Sequence, residues 1–419
     1  MYKEIFKVKN TAFVLLVVFC IQFTELKLNV IKLSELILLA LTPFIYYKRI
    51  NKWMFLFILL FFIHLVITLL INPYRDFFLV DGVSFFIKPN LISIGRFLEL
   101  ISCVNLAALI HKFFLKKTNS EIKFYIKQIY NLNFLILMVF LALYIFYLSG
   151  IIDETRVVYE LWGGVYRLRG WYSEGGPYGL MLAFTFCLSY FYKSKFHKFS
   201  RIIILFTIIF FAKSKAGILL IFTWFLLLYG KKIYQKIKQL SVFFIAGGVI
   251  TFLAIFLSLA EVYIDDIKNI KREISERPTD INLVMGRISG LHIVPKMIEK
   301  NPLFGTGLGN YPITRNNPQY RTFFPEHPSG KIDAHGYGGI IQLLVDGGAL
   351  IFVLFSLIIY KLYLKTNQKK FILIFICFFI FGVQIYFQYN WILLGIVIAM
   401  ENKKQAYYFK KEKRAHYIN

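Results

Sequence analysis

WMFLFILLFFIHLVITLLI, residues 53–71, decides the fold class of this chain. It contains no Lys, Arg, Asp or Glu. As a helix rising 1.5 Å per residue it is about 28 Å long, which matches a hydrocarbon core of ~30 Å. Eleven comparable runs flank it, at 11–24, 30–47, 93–115, 132–150, 175–192, 202–212, 216–230, 241–260, 339–360, 371–387 and 390–400. Those at 202–212, 216–230 and 390–400 are short, so the number of spans lies between ten and twelve. An apolar fraction of 58% and a mean hydropathy of +0.61 exceed what a soluble domain of 419 residues carries. The expectation is an all-α, polytopic integral membrane protein with about twelve transmembrane helices.

Working outward from the apolar runs, the charges assign the sides. Lys and Arg cluster in the short connections 48–52, 112–127, 193–201, 231–238 and 361–370 and in both tails. Acidic residues are scarce there, with Glu4, Glu121, Glu401 and Glu412 the exceptions. With twelve spans, all these segments fall on the side of the N-terminus, so the positive-inside bias makes both termini cytoplasmic. The net charge of +26 is then a topology signal with attraction to anionic lipid heads, and nucleic acid is not an expected partner. The first run lacks a small-residue cleavage site and is followed at once by further spans, so it reads as a retained helix. Cys20, Cys103, Cys187 and Cys377 all lie in apolar runs, form no CxxC pair, and read as packing residues.

The other side receives loops 72–92, 151–174, 212–216 and, above all, 261–338. The chain therefore divides into helices one to nine (1–260), a large extracytoplasmic loop (261–338), and three last helices with a basic tail (339–419). Within the loop, Val262, Ile264, Ile267, Ile270 and Ile274 recur at helical spacing among charged residues and predict an amphipathic helix ended by Pro278. A second helix is predicted from Met285 to Lys300, with Ile288, Leu291, Val294 and Ile298 on one face and Pro295 inside. The turn-rich stretch Gly305-Thr306-Gly307-Leu308-Gly309-Asn310-Tyr311-Pro312 follows. Its glycines permit close approach to a ligand or make a plain interhelical loop. It follows no strand, which excludes a dinucleotide fingerprint.

Four polar clusters converge on the outer face under this topology. They are Arg167-Leu168-Arg169-Gly170-Trp171-Tyr172-Ser173-Glu174-Gly175-Gly176-Pro177, then Lys213-Ser214-Lys215-Ala216-Gly217, then Gly286-Arg287, and then Asp333-Ala334-His335-Gly336. With Asn301-Pro302-Leu303-Phe304-Gly305-Thr306-Gly307-Leu308-Gly309-Asn310, their order and spacing resemble the O-antigen ligase/polymerase family of bacterial envelope polysaccharide enzymes. The resemblance covers roughly residues 155 to 350. Three positions depart from it: Lys215 stands where Arg is usual, Gly336 where Asn is frequent, and a gap precedes Pro177.

The resemblance implies a GT-C-like membrane glycosyltransferase of the bacterial cytoplasmic membrane. Its substrate would be an undecaprenyl-pyrophosphate-linked oligosaccharide, its surroundings membrane lipids, and its partners a flippase and a chain-length regulator. Such transfer needs cations to hold two phosphates and to stabilise the charge that grows on the leaving group. Arg287, Lys215, Arg167 and Arg169 are the candidates. The acceptor hydroxyl needs a base poised near neutrality, which His335 supplies. Asp333 or Glu174 would orient that imidazole or bind sugar hydroxyls, and Trp171 and Tyr172 would stack on sugar rings. The chain has no Asp-x-Asp motif and no His/Cys cluster, so neither a metal nor another cofactor is expected.

Each assignment has a structural alternative. Arg167, Arg169 and Lys215 at outer helix ends also suit snorkelling to lipid headgroups, and Arg287 suits a solvated surface. Arg96 and Glu99, three residues apart within an apolar run, read as a mutual ion pair in preference to a substrate contact. Asp346 reads as a secondary candidate that bonds the glycine-rich backbone or lines the same cavity. The leading functional expectation is a polymerase of lipid-linked repeat units. A ligase that transfers the glycan to lipid A-core comes second, and a flippase third, because a flippase predicts repeated halves and short loops.

Overall fold

The computed structural model describes residues 8–28, 31–47, 50–71, 88–161, 165–191, 196–237, 269–276, 287–325 and 337–401. The run 241–260, most of the first amphipathic helix, Asp333 and His335 lie outside them.

The architecture is mostly helical. Its first half contains α1 (Val8–Gln22), α2 (Leu33–Ala40), α3 (Thr42–Tyr46), α4 (Lys52–Ile71), α5 (Pro89–Leu115) and α6 (Asn119–Leu148). Then come α7 (Gly175–Leu188), α8 (Phe196–Phe206) with a π-turn at Thr207–Phe211, and α9 (Lys215–Ile237). The outer segment holds α10 (Ile270–Glu276), α11 (Arg287–Lys300), α12 (Tyr311–Thr314) and α13 (Pro318–Arg321). The chain returns to long helices with α14 (Gly339–Lys365), α15 (Lys369–Ile380) and α16 (388–401). Two small antiparallel hairpins interrupt the helices: β1 (Lys27–Leu28) with β2 (Ile31–Lys32), and β3 (Val158–Leu161) with β4 (Val165–Leu168).

Four described helices, α4, α5, α6 and α14, are long and apolar enough to cross a membrane. The chain is a multi-pass membrane protein. Two further apolar runs fold into shorter pieces: the run at 30–47 divides into α2 and α3 at Leu41, and the run at 202–212 becomes the end of α8 plus the π-turn. Contacts between helix ends sort into two groups. Phe13 stacks on Phe113 at 3.7 Å, the Lys112 ammonium donates to the Phe44 carbonyl, and Lys365 lies 5.7 Å from the Trp53 ring. At the opposite ends, the Tyr172 hydroxyl donates to the Ile21 carbonyl and Ser214 Oγ donates to the Gly176 carbonyl at 2.9 Å. There too, the Leu308 amide donates to Thr68 Oγ1 at 3.1 Å. The described helices thus alternate in direction, and the motif-bearing segments share one end.

Glu121, an acid in an otherwise basic connection, caps α6. Thr118 Oγ1 accepts from the Glu121 amide at 3.3 Å, and Glu121 Oε2 accepts from the Thr118 amide at 2.7 Å. This reciprocal capping box satisfies two donors that the first helical turn leaves open. The exception to the charge bias therefore has a local cause.

The Arg96–Glu99 pair expected from spacing forms at 2.5 Å, about 10 Å along α5 from its start. It belongs to a larger set that the sequence reading did not draw together. Lys32 Nζ lies 3.5 Å from Glu99 and 2.9 Å from Glu35. Breaking such a buried set by removing one charge strands the others. Glu99→Gln is therefore expected to cost about 3 kcal/mol of stability, whereas a paired Arg96→Met/Glu99→Leu replacement costs less. Thermal unfolding of the purified protein checks the order.

Candidate active site

The cluster that meets best is built from the starts of two helices. α7 begins at Gly175 and α9 at Lys215, and small residues let the two starts touch. A Cβ placed on Gly217 would sit 2.8 Å from the Gly179 carbonyl oxygen, so any larger side chain would push the helices apart. Ser214 joins them: its hydroxyl accepts from the Gly217 amide at 3.2 Å and donates to the Gly176 carbonyl at 2.9 Å. The π-turn sets this geometry up, because the Ala212 amide bonds back to Thr207 and the Ser214 amide to Ile208. Lys213 takes a left-handed φ of 51° at the end of the turn. Pro177 falls in the first turn of α7, where its missing N–H costs nothing.

The cations lie around these starts. Lys213 and Lys215 are exposed. Arg167 enters from β4, whose register pairs it with Tyr159. Its Cβ would lie 3.2 Å from a Cβ on Gly175, and its Nε is buried with no hydrogen-bond partner among the described residues. Each helix start carries a partial positive charge of about half an electron, so the two starts add to the side-chain cations. Together they form a place for a multiply charged anion.

The other residues expected here divide by role. Arg169 donates from Nε to the Arg156 carbonyl at 2.7 Å and from Nη1 to the Ser173 carbonyl at 3.2 Å, which ties the loop together. Burial, then the Arg156 charge, lowers its pKa from the usual arginine value. Glu174 precedes α7, is exposed, and makes no side-chain cap. Trp171 is half-buried, with Phe23 at 5.4 Å and the Arg156 guanidinium at 4.9 Å from its ring. Tyr172 is only 2% exposed and packs among Tyr178, Phe387 and Tyr389, so its ring has no open face for a sugar.

The outer segment forms a second neighbourhood. Arg287 opens α11, and only its backbone is described. α11 matches the predicted helix closely, and Ile288, Val294 and Ile298 of the expected face pack inward, but Leu291 does not. Ile293, Val294 and Met297 pack with Tyr311, Tyr320 and Val345, while Leu291 is 48% exposed. Two residues turn a helix by about 200°, so Leu291 cannot share a face with Ile293. Ile270 and Ile274 of α10 do face inward as their spacing predicted, against Phe324. Val345 and the adjoining Ile341 belong to the first half of α14, which starts four residues after His335. The elements bearing Arg287 and leading from His335 therefore share one small core.

The glycine-rich stretch serves that arrangement. α14 is broken at Gly348, where φ is +62° and ψ −167°. The Asn301–Asn310 loop fills the break. Amides of Ala349 and Leu350 donate to the carbonyls of Pro302 and Leu303 at 2.8 and 3.2 Å. In return, amides of Thr306 and Gly307 donate to the carbonyls of Val345 and Asp346 at 2.8 and 2.9 Å. Gly309, at φ +72°, approaches Arg96 so closely that an added Cβ would fall 2.3 Å from Arg96 Cγ. The close approach read from the sequence is real, and its object is α14 and Arg96. Asp346, the secondary candidate, does bond this backbone: its Oδ2 accepts from the Gly309 amide at 3.1 Å.

A family model described as O-Antigen ligase matches residues 200–356, which spans α8, α9, the described outer helices and the first part of α14. Residues 200–356 are similar to the O-antigen ligase family domain. The match supports the resemblance to the O-antigen ligase/polymerase family that the motifs suggested, a family of glycosyltransferase-like enzymes of polysaccharide biosynthesis. Searches of curated proteins and of solved structures find no match. Within the matched residues lie Lys213, Lys215, Arg287, the glycine-rich loop and Asp346, whereas Arg167 comes from outside them. Among the described residues no group of three or more His, Cys, Asp or Glu is placed to hold a metal ion. The sequence reading missed His64, Ser93, Thr68 and Tyr386, all of which touch the broken helix or its loop. A lone polar residue in an apolar run was their only signal.

Proposed function

We propose that this protein is a polymerase that joins undecaprenyl-pyrophosphate-linked oligosaccharide repeat units of O-antigen, capsule or exopolysaccharide. It would act on the outer face of the bacterial cytoplasmic membrane, with both termini in the cytoplasm. The observation that carries this reading is the pair of abutting helix starts, Gly175 and Lys215, ringed by Arg167, Lys213 and Lys215. A lipid diphosphate is an anion suited to that site.

In the proposed reaction the acceptor hydroxyl oxygen bonds to the anomeric carbon of the donor glycan. The bond from that carbon to the diphosphate oxygen breaks, and the proton passes from the hydroxyl to His335. Undecaprenyl diphosphate leaves with the bonding electrons, its growing charge balanced by Arg287 and the cations at the helix starts. Side-chain cations supply the charge, so transfer is expected to survive EDTA. Asp333 and Glu174 would orient the imidazole or the sugar.

The family description favours a second reading, in which the finished glycan is transferred to lipid A-core. Purified protein offered lipid-linked repeats with and without lipid A-core separates the two. Longer lipid-linked chains support the polymerase. Products appearing only when lipid A-core is present support the ligase. No covalent product with either acceptor leaves a transporter, and the proposal is then wrong.

A further inference from the structure

We infer that Asp346 is a positioning residue that locks the outer segment onto the membrane bundle and so holds α11, which begins at Arg287, against the first half of α14, which follows His335 in sequence. The inference rests on reading those two residues as the reacting pair.

Asp346 is 2% exposed and stands two residues before the break in α14. Its carboxylate has no basic partner within ion-pair distance among the described residues, because Arg96 nearby is engaged with Glu99. A buried carboxylate without such a partner is costly to keep and is retained where its hydrogen bonds matter. Those bonds all run to the lock. Oδ2 accepts from the Gly309 amide at 3.1 Å and from the Tyr386 hydroxyl at 3.4 Å. The carbonyl of the same residue accepts from the Gly307 amide at 2.9 Å and bonds His64 Nε2 at 3.2 Å. Asp346 thus joins α4, α14, the segment before α16 and the outer loop.

What the lock holds is the outer segment on both sides of it. The loop leaves directly from the end of α11, whose first residue is Arg287. The lock also fixes the first half of α14, which leads from His335, and the two helices share the core around Val345. Releasing the loop frees α11 to shift against α14. Asp346 itself is too buried to touch a glycan, so its effect on transfer runs through the position of other groups. A misplacement of about 1 Å is enough to cost around a hundredfold in rate.

The test uses the full-length protein in lipid nanodiscs, with hydrogen exchange of peptides covering residues 301–310 beside transfer kinetics on a lipid-diphosphate oligosaccharide. Asp346→Ala is expected to speed exchange in that stretch about tenfold. It should lower kcat about tenfold or more while KM moves less than about threefold. Asp346→Asn keeps an oxygen for the Gly309 amide and should restore both most of the way. If Asp346→Ala does not fold, Thr68→Val, which removes the acceptor of the Leu308 amide, should loosen exchange and lower kcat in the same direction. Wild-type exchange or wild-type kcat in Asp346→Ala overturns the inference. So does an Asp346→Asn protein that stays protected yet inactive, because the charge would then act directly. A wild-type protein inactive on lipid-diphosphate donors sinks the reading of the site instead, and the exchange data still decide whether the lock exists.

Discussion

Alanine at Arg287 or at His335 is expected to slow chain extension by about 10²–10⁴-fold, with the protein still inserted in the membrane. The two losses differ in kind. Removing His335 leaves the acceptor hydroxyl without a base, so the defect should shrink as pH rises and hydroxide takes over. Removing Arg287 leaves charge on the departing diphosphate uncompensated, and pH should not repair it. Lysine at 287 keeps the charge but loses the planar fork, so it should recover only part of the rate. Arg287 stands at the first position of α11, where a cation opposes the positive end of the helix. Alanine there should not weaken the helix, so a lost activity reads as lost chemistry. Reconstituted vesicles with a labelled lipid-linked repeat give the measurement. Chains of normal length from either alanine variant would remove that residue from the mechanism.

The second large effect concerns stability. Alanine at Gly309 or at Gly348 is expected to destabilise the protein by about 3–5 kcal/mol, a sum of steric overpacking and unfavourable positive φ. At Gly309 the new methyl meets Arg96 Cγ at 2.3 Å, and the Arg96 side chain is held by Glu99 and by stacking 4.8 Å from the Tyr386 ring centre. At Gly348 it meets the Leu303 backbone at 2.4 Å, which has no rotamer with which to yield. Alanine at the exposed-side Gly95, whose Cβ would meet nothing within 4 Å, serves as the control and should be neutral or slightly stabilising. Thermal unfolding in one detergent ranks the three. Equal midpoints for Gly348→Ala and wild type would mean that the loop does not sit in the break.

Much of the architecture was legible because a bilayer permits few backbone solutions. The run 53–71 became α4 with almost the predicted ends, and the spacing of Arg96 and Glu99 correctly gave an ion pair. Hairpin β3–β4 was not read, because four-residue strands in a loop rich in Tyr and Arg carry too little periodicity to stand out. The break in α14 was hidden as well. Asp346-Gly347-Gly348 looks like a mild interruption of an apolar run, and only the loop's backbone bonds show that the helix stops there. The glycine-rich loop illustrates the limit of local reading. Its flexibility was evident from composition, but what it approaches depends on a helix that begins about thirty residues later. For the candidate site, the residue types were legible and the grouping was partly so. Arg167 and Ala212, which leads into the Lys213–Lys215 turn, both border Gly175, and Tyr172 turned inward because the end of α1 offers its hydroxyl a carbonyl at Ile21.

The interrupted α14 also has a bearing on how the chain is made. Carbonyls at 345 and 346 and amides at 349 and 350 are one another's partners in an unbroken helix, so if that helix entered the bilayer alone they would pair together and the break would close. The Asn301–Asn310 loop leaves the ribosome first and can be waiting across the membrane when the break arrives. Biogenesis therefore gains from the order in which the two pieces are synthesised. A permuted gene that encodes α14 ahead of its loop should yield an unbroken α14 on which the loop docks poorly, even though every contact of the finished protein would be available to it.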